Sequence, residues 1–470
     1  MNDHVQTSAL EEHTIQQIPR EQRHGKASDL FTIWFGANIM LLTVVTGALA
    51  VSLFKLPFLD AVIATVVGNL VGAVFMALHS AQGPQLGVPQ MIQTRGQFGS
   101  LGALLVVGLV VVMYLGFFAS NAVVGGQALH NVASAIPTNV GVVAIGFISL
   151  VAAIYGYDLI HAYARLMTYI CGIALIIAFV LIVFVHGLPA DFFTKNSATF
   201  SGYLGAISVS ALWQIAYAPY VSDYSRYMPE DTGPRQAFWA SYWGCSLGTI
   251  FPMILGIVIA LIVGDGDIVQ ALNTLTGGFG PLVLVIFSIG IAAANAMNLY
   301  CGALSLITIV QTLFTQWRPK AWARAVSTGL LFALGLGFAI LGSANFMHNY
   351  HNFLLLLLYV MVPWTAINLV DYYWIRHGNY DVPSFFRADG GIYGKVNYVA
   401  VICYLFGILI QVPFVSSPMY SGSLALAMDG ADISWIVGLL VVSPVYYFAA
   451  KIVDKAKSSP VAAEQAESTA

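Results

Sequence analysis

Seven carboxamide side chains, Asn38, Asn69, Asn121, Gln127, Gln214, Asn295 and Asn298, lie inside long apolar runs. An amide carries both donors and acceptors, so it can bond the edge of a heterocycle that itself alternates N–H and C=O. Being neutral, these groups suit an uncharged planar ligand. Phe117 precedes Asn121 by four residues, which on a helix sets both on one face. The ring can stack on a flat molecule while the amide bonds its edge. Singly, each amide reads rather as an interhelical hydrogen bond, worth about 0.6 kcal/mol, and Phe117 as core packing.

Other chemistries have less support. Cys171, Cys245, Cys301 and Cys403 stand alone, without a C-x-x-C pair, and read as small buried hydrophobes. His348-x-x-His351 has helical metal-ligand spacing, the best argument for a membrane-embedded metalloenzyme. It falls in a short outer connection, lacks an adjacent Glu and has no evident third ligand. A channel would need a charged ring or a repeated filter sequence, and neither is present.

The elements that position these residues follow from composition. Of 470 residues, 59% are hydrophobic and 8% charged, against roughly 25% charged in a soluble domain. Such a chain belongs in lipid, and a net charge of -3 offers no field for nucleic acid. No Asp, Glu, Lys or Arg occurs between Arg95 and Asp158, far more than the ~20 residues one crossing needs. Two helices must share that interval, divided at the turn formers of HNVASAIPTNVG. Ala325 to Val370 likewise holds two. The same test places twelve spans, near 30-54, 58-82, 99-128, 139-157, 163-187, 202-222, 236-263, 280-312, 322-342, 352-375, 396-416 and 433-451.

Lys and Arg collect in cytoplasmic loops. With the N-terminal tail inside, sixteen of the eighteen basic residues fall inside, and only Lys55 and Lys195 outside. Asp191, Asp265, Asp267, Asp429 and Asp432 then decorate the outer loops. A multi-pass protein of the cell membrane with both termini cytoplasmic is expected: a soluble tail at 1-29, a membrane domain at 30-451 and a second tail at 452-470. The first tail lacks the apolar core of a secretory signal.

Two spans look interrupted. Span one carries Gly36 and Asn38 early in an apolar run, and span six carries Trp213, Gln214, Tyr217, Pro219 and Tyr220, with Pro219 expected to break the helix. Five spans apart, they cross in opposite directions, as matching helices of inverted repeats do. Broken helices at matching positions let backbone line a midplane cavity; each feature alone is equally consistent with a kink or close packing.

These residues carry a resemblance. WFGANIM, QGPQLGVPQMIQTRGQFG, GFFASNAVVGGQAL, YGYDLIHAYARLMTYI, APYVSDYSRYMP, NAMNLYCGALSL and NFLLLLLYVMVPWTAINLVDYYWIR, from about residue 28 to 395, resemble the nucleobase:cation symporter-1 family, in particular its purine-cytosine permease branch. The resemblance implies an all-α LeuT-type fold, with inverted repeats at about 30-187 and 202-375 and two added C-terminal helices. It implies a transporter, not an enzyme, importing a nucleobase by alternating access, without a cofactor. The substrate would lie between spans one, three, six and eight, on Phe117, Asn121, Trp213 or Gln214 (Trp213 preferred), Asn295, Asn298 and Asn38. Phe117 departs from the family's usual Trp. A hydantoin, allantoin or thiamine-type pyrimidine is the alternative cargo.

In sodium-driven members, span-one carbonyls and two span-eight hydroxyls hold the ion; here the latter positions are Ala293 and Ala292. The nearest hydroxyl is Ser288. A proton is therefore expected as coupling cation in place of sodium, with Gly36, Ser288 and Asp223 as candidate coupling residues. Asp223 is the carboxylate nearest the expected cavity; it also fits a structural pair with Arg226. His79 and His161 are further titratable groups, both at span ends.

Overall fold

In lipid, backbone polar groups must be satisfied inside the protein, and the computed structural model meets this with helices almost throughout. It describes residues 14–467 apart from 232, 265 and 418, and their side chains apart from those of 157, 158 and 454–467. Residues 1–13 and 468–470 of the expected tails, Asp265, and the side chains of Lys455 and Lys457 lie outside the described residues.

Nine helices are long and apolar enough to cross a bilayer, and Ala27–Asn38 with Leu41–Ser52, bent by 61°, make a tenth crossing. The run Ala321–Ile375 contains two helices, Ala321–Gly342 and Phe346–Val370, around a tight turn at Ser343–Asn345. With the shorter Tyr398–Phe414, the described residues make twelve spans. Span two is Phe58–Ser80, three Ala103–Val132, four Thr138–Tyr155 and five Tyr157–Val180. Span six is split into Phe200–Ile215 and Ala218–Ser225. Spans seven, eight and twelve are Gly233–Val263, Gly280–Leu313 and Ser434–Glu467. Side chains such as Phe147, Ile176, Leu282 and Leu341 are exposed around the outside, as a lipid-facing surface requires.

Alternate connections gather on opposite faces. On the face bearing the ends of the described chain, the Ile18 N–H donates to the Gly87 carbonyl, Gly25 to Tyr227, and Ser100 to Gly394. On the other face, Asn196 donates to the Leu56 carbonyl and Asn273 to that of Asn131. A miscounted span would mix these sets. The described part of the N-terminal tail is not a free tail: Ile15 and Ile18 are fully buried, and Arg226 donates to the Thr14 carbonyl at 2.8 Å.

Three further expectations are revised. Pro219 does not break span six. It is the second residue of the half-helix Ala218–Ser225, where its missing N–H leaves no bond unmade, and the interruption lies at Ala216 and Tyr217. Gly36 sits within Ala27–Asn38 rather than at the span-one break; a Cβ there would collide with the Ala164 carbonyl and the Thr168 hydroxyl of span five. His348 and His351 belong to the span-ten helix rather than to the connection before it, and His348 bonds Asn352 at 3.0 Å.

The second half of span one packs backbone to backbone on span seven. A Cβ on Gly47 would strike the Met253 backbone, and one on Gly256 would strike that of Val44. Gly47→Leu should therefore lower the thermal stability of the detergent-solubilised protein by many degrees or prevent its recovery as a single species. Gly108→Leu, where a Cβ meets nothing within 4 Å, should leave fluorescence-detected size exclusion and melting unchanged.

Candidate substrate site

The two interruptions face each other across a cavity. At the first, Ile39 and Met40 leave helical geometry. The carbonyl of Asn38 accepts from the Thr43 hydroxyl at 2.6 Å and the Met40 N–H at 3.0 Å. At the second, the Tyr217 N–H turns back to the Gln214 carbonyl at 3.0 Å. Between them, Ala37, Met40, Phe117, Asn121, Trp213, Ala216, Tyr217, Tyr220, Ala294, Met297 and Asn298 line a cavity of about 20 Å³, so its walls stand close together. Spans one, three, six and eight all contribute.

Its walls are aromatic and amide. Phe117 meets Trp213 edge-on, ring centres 6.1 Å apart at 79°. Trp213 is held by its indole N–H, which donates to Asn38 Oδ1 at 2.8 Å, while Asn38 Nδ2 donates to the Trp34 carbonyl at 2.7 Å. Across the cavity, Asn121 Nδ2 and Asn298 Nδ2 both donate to Asn295 Oδ1, at 3.0 and 3.1 Å. The Tyr220 hydroxyl donates to Asn298 Oδ1 at 2.6 Å. Asn121 Oδ1 is buried and has no hydrogen-bond partner. A buried acceptor left in that state costs roughly 1–3 kcal/mol, which a donor on a bound molecule would recover.

Each side is covered. Away from the chain ends, Phe353 of span ten packs edge-on against Phe117, centres 5.1 Å apart, and Thr46 Oγ1 bonds the Tyr350 hydroxyl at 2.7 Å. Toward the chain ends, Tyr114 donates to the Pro219 carbonyl at 3.1 Å and packs edge-on against Tyr220. Beyond this lies Asp223, whose Oδ1 accepts from the Gln90 N–H at 2.9 Å.

The family model for permeases of cytosine/purines, uracil, thiamine and allantoin matches residues 17–438. The chain belongs to this permease family. It is 40% identical to a Bacillus subtilis protein that carries the provisional name purine-cytosine permease YxlA, over 93% of this chain and 95% of that one. The purine-cytosine permease fcyB of Emericella nidulans is 26% identical, over 91% and 86%. Among solved structures, the nucleobase-cation-symport-1 family transporter Mhp1, closed with bromovinylhydantoin bound, superposes with a TM-score of 0.78. The identity is 17%, covering 96% of this chain and 97% of that one. The fold is thus that of a membrane transporter, and the relatives are permeases, not enzymes.

In this permease, the residues singled out in the sequence divide into three groups. Phe117, Asn121, Trp213 and Asn298 line the cavity. Asn38 and Asn295 stand behind it, bonded to the lining residues. Gln214, adjacent to Trp213, points elsewhere and donates to Asn69 Oδ1 of span two at 2.8 Å. Neither Gly36, Ser288 nor Asp223 lines it; the Ser288 hydroxyl donates to the Leu284 carbonyl at 2.7 Å. Gln127 lies on a separate cavity with Asp267 and His348. Among the described residues, no three His, Cys, Asp or Glu could hold a metal, and all four cysteines are free and buried. Tyr217, Tyr220, Met40 and Met297 were missed. The signal for the tyrosines was their position on span six beside the interruption; two methionines in apolar helices carry none.

The Gln214–Asn69 pair gives a test of this division. Gln214→Ala strands a buried acceptor on Asn69, and should cost about 1–3 kcal/mol of stability. The double variant with Asn69→Ala should recover part of that, giving a coupling of about 0.6–1.7 kcal/mol in a mutant cycle. Additive losses would mean that the pair is not made.

Proposed function

We propose that this permease is a secondary transporter that imports a nucleobase, such as cytosine or a purine, across the cell membrane. The observation that carries this reading is the unpartnered Asn121 Oδ1, set in a neutral cavity lined by the rings of Phe117 and Trp213. No ionised side chain lines that cavity, so a charged ligand would lie there without a counter-ion. A flat ring offering an N–H satisfies both the aromatic walls and the amide edge. Phe117, Asn121, Trp213 and Asn298 contact it in this reading, and Asn38 and Asn295 hold them. A phenyl ring at 117 leaves more room than an indole and suits a fused bicyclic base.

The fold is compatible with alternating access. Repeats at about 30-187 and 202-375 would rock around the paired interruptions, and the covers at Phe353 and at Tyr114 would part in turn. Both termini lie in the cytoplasm in this reading, on the strength of the basic loops.

The coupling cation is a proton. Sodium needs several oxygen ligands in place of its water shell, yet the Asn38 carbonyl is already capped by Thr43. Ala292 and Ala293 bring no side-chain oxygen, and the Ser288 hydroxyl is committed within its own helix. Asp223, three residues beyond Tyr220, is the candidate carrier.

Uptake of labelled bases by cells expressing the protein tests this directly. Cytosine or a purine should accumulate, unaffected by replacing sodium with choline and abolished by a protonophore. Strict sodium dependence would overturn the coupling, and uptake of an amino acid but of no base would overturn the substrate class. Phe117→Ala and Asn298→Ala should raise the half-saturation concentration about tenfold or more, at unchanged surface expression. Normal transport by both would remove this cavity from the mechanism.

A further inference from the structure

Asn295 does not line the cavity, yet it determines what the cavity offers. Its Nδ2 donates to the backbone carbonyl of Phe118 at 3.1 Å. A carbonyl can only accept, so turning the Asn295 amide round would set oxygen against oxygen. Asn295 Oδ1 is therefore held facing Asn121 and Asn298, and it accepts from the Nδ2 of each, at 3.0 and 3.1 Å. Both amides take their orientation from it. The Tyr220 hydroxyl fixes Asn298 a second time by donating to its Oδ1 at 2.6 Å. What is left for a ligand is the unpartnered Asn121 Oδ1 and the second N–H of each amide, on Asn121 Nδ2 and on Asn298 Nδ2.

We infer that Asn295 is a positioning residue that fixes the polarity of the site as a single unpartnered acceptor, Asn121 Oδ1, beside amide N–H donors. The ligand class is a neutral planar ring carrying an adjacent N–H and acceptor on one edge, as in a lactam or an amidine. This rests on the nucleobase reading above. A ring whose edge offers acceptors alone meets Asn121 Oδ1 with a second oxygen or nitrogen. Asn121 cannot turn to meet it while Asn295 holds its N–H.

Two bicyclic probes separate this from a merely structural role. Isoquinolin-1(2H)-one has one N–H beside its carbonyl; isocoumarin has a ring oxygen in the same place. Each is titrated as a competitor of labelled base on the full-length protein. In the wild type the lactam should compete about tenfold or more better than the lactone. In Asn295→Ala, with Asn121 free to turn, the ratio should fall to about threefold or less. A structural role weakens both probes alike; a ratio unchanged from wild type would overturn the inference, as would a wild type that binds both equally. If Asn295→Ala does not reach the membrane, the ratio is read on Asn295→Ser, which keeps a small polar side chain but removes the amide that orients Asn121 and Asn298. The ratio should fall there in the same direction, and an unchanged ratio again overturns the inference. Loss of all nucleobase competition in the wild type would instead overturn the substrate reading.

Discussion

Everything in this molecule answers to one constraint: with lipid around it, a backbone N–H or C=O has no water to fall back on. Twelve helices satisfy that constraint along most of the chain. The two places that break it are spans one and six, and each break is closed by the protein's own groups. Thr43 caps the Asn38 carbonyl, and Tyr217 turns its N–H back to Gln214. Because irregular backbone at this depth must face protein or a cavity, the two breaks have to meet, and the cavity is where they do. The helices around them can come close enough because glycine replaces bulk at the contacts, as at Gly47 and Gly256.

Polarity inside the cavity is inherited rather than local. A backbone carbonyl at Phe118 orients Asn295, Asn295 orients Asn121 and Asn298, and Tyr220 holds Asn298 from span six. Span six also presents Trp213, which Asn38 anchors from span one. Movement at either broken helix would therefore be transmitted to the atoms that face a ligand. A chain of committed hydrogen bonds links spans one and six on one wall, and spans three, six and eight on the other. Charge plays almost no part in this chain, which agrees with a neutral cargo.

Much of this was legible in the sequence because scarce charges mark helix ends. Two intervals without charge were each too long for one span, and the basic residues sorted the connections into two faces. Phe117 and Asn121 were legible as a pair because four residues make one helical turn. The choice of Trp213 over Gln214 was not, since adjacent residues on a helix differ by about 100° in direction. Only the partner on span two, Asn69, shows which one turns away. Pro219 was misplaced because proline is tolerated in a helix's first turn as well as breaking its interior. The roles of Asn295 and Thr43 depend on contacts within and between helices that no local pattern encodes. Ile15 and Ile18 looked like part of a soluble tail because this segment is held by distant residues, Ile18 by Gly87 and Thr14 by Pro319.

The most direct test is a cryo-electron microscopy structure of the protein with a nucleobase bound. The base should lie against the rings of Phe117 and Trp213, with one edge on Asn121 Oδ1 and Asn298 Nδ2 and no contact with Gln214. A base found in a different cavity, the one lined by Lys55 and Asp432, or with its edge against Gln214, would show that the two broken helices do not enclose the substrate site.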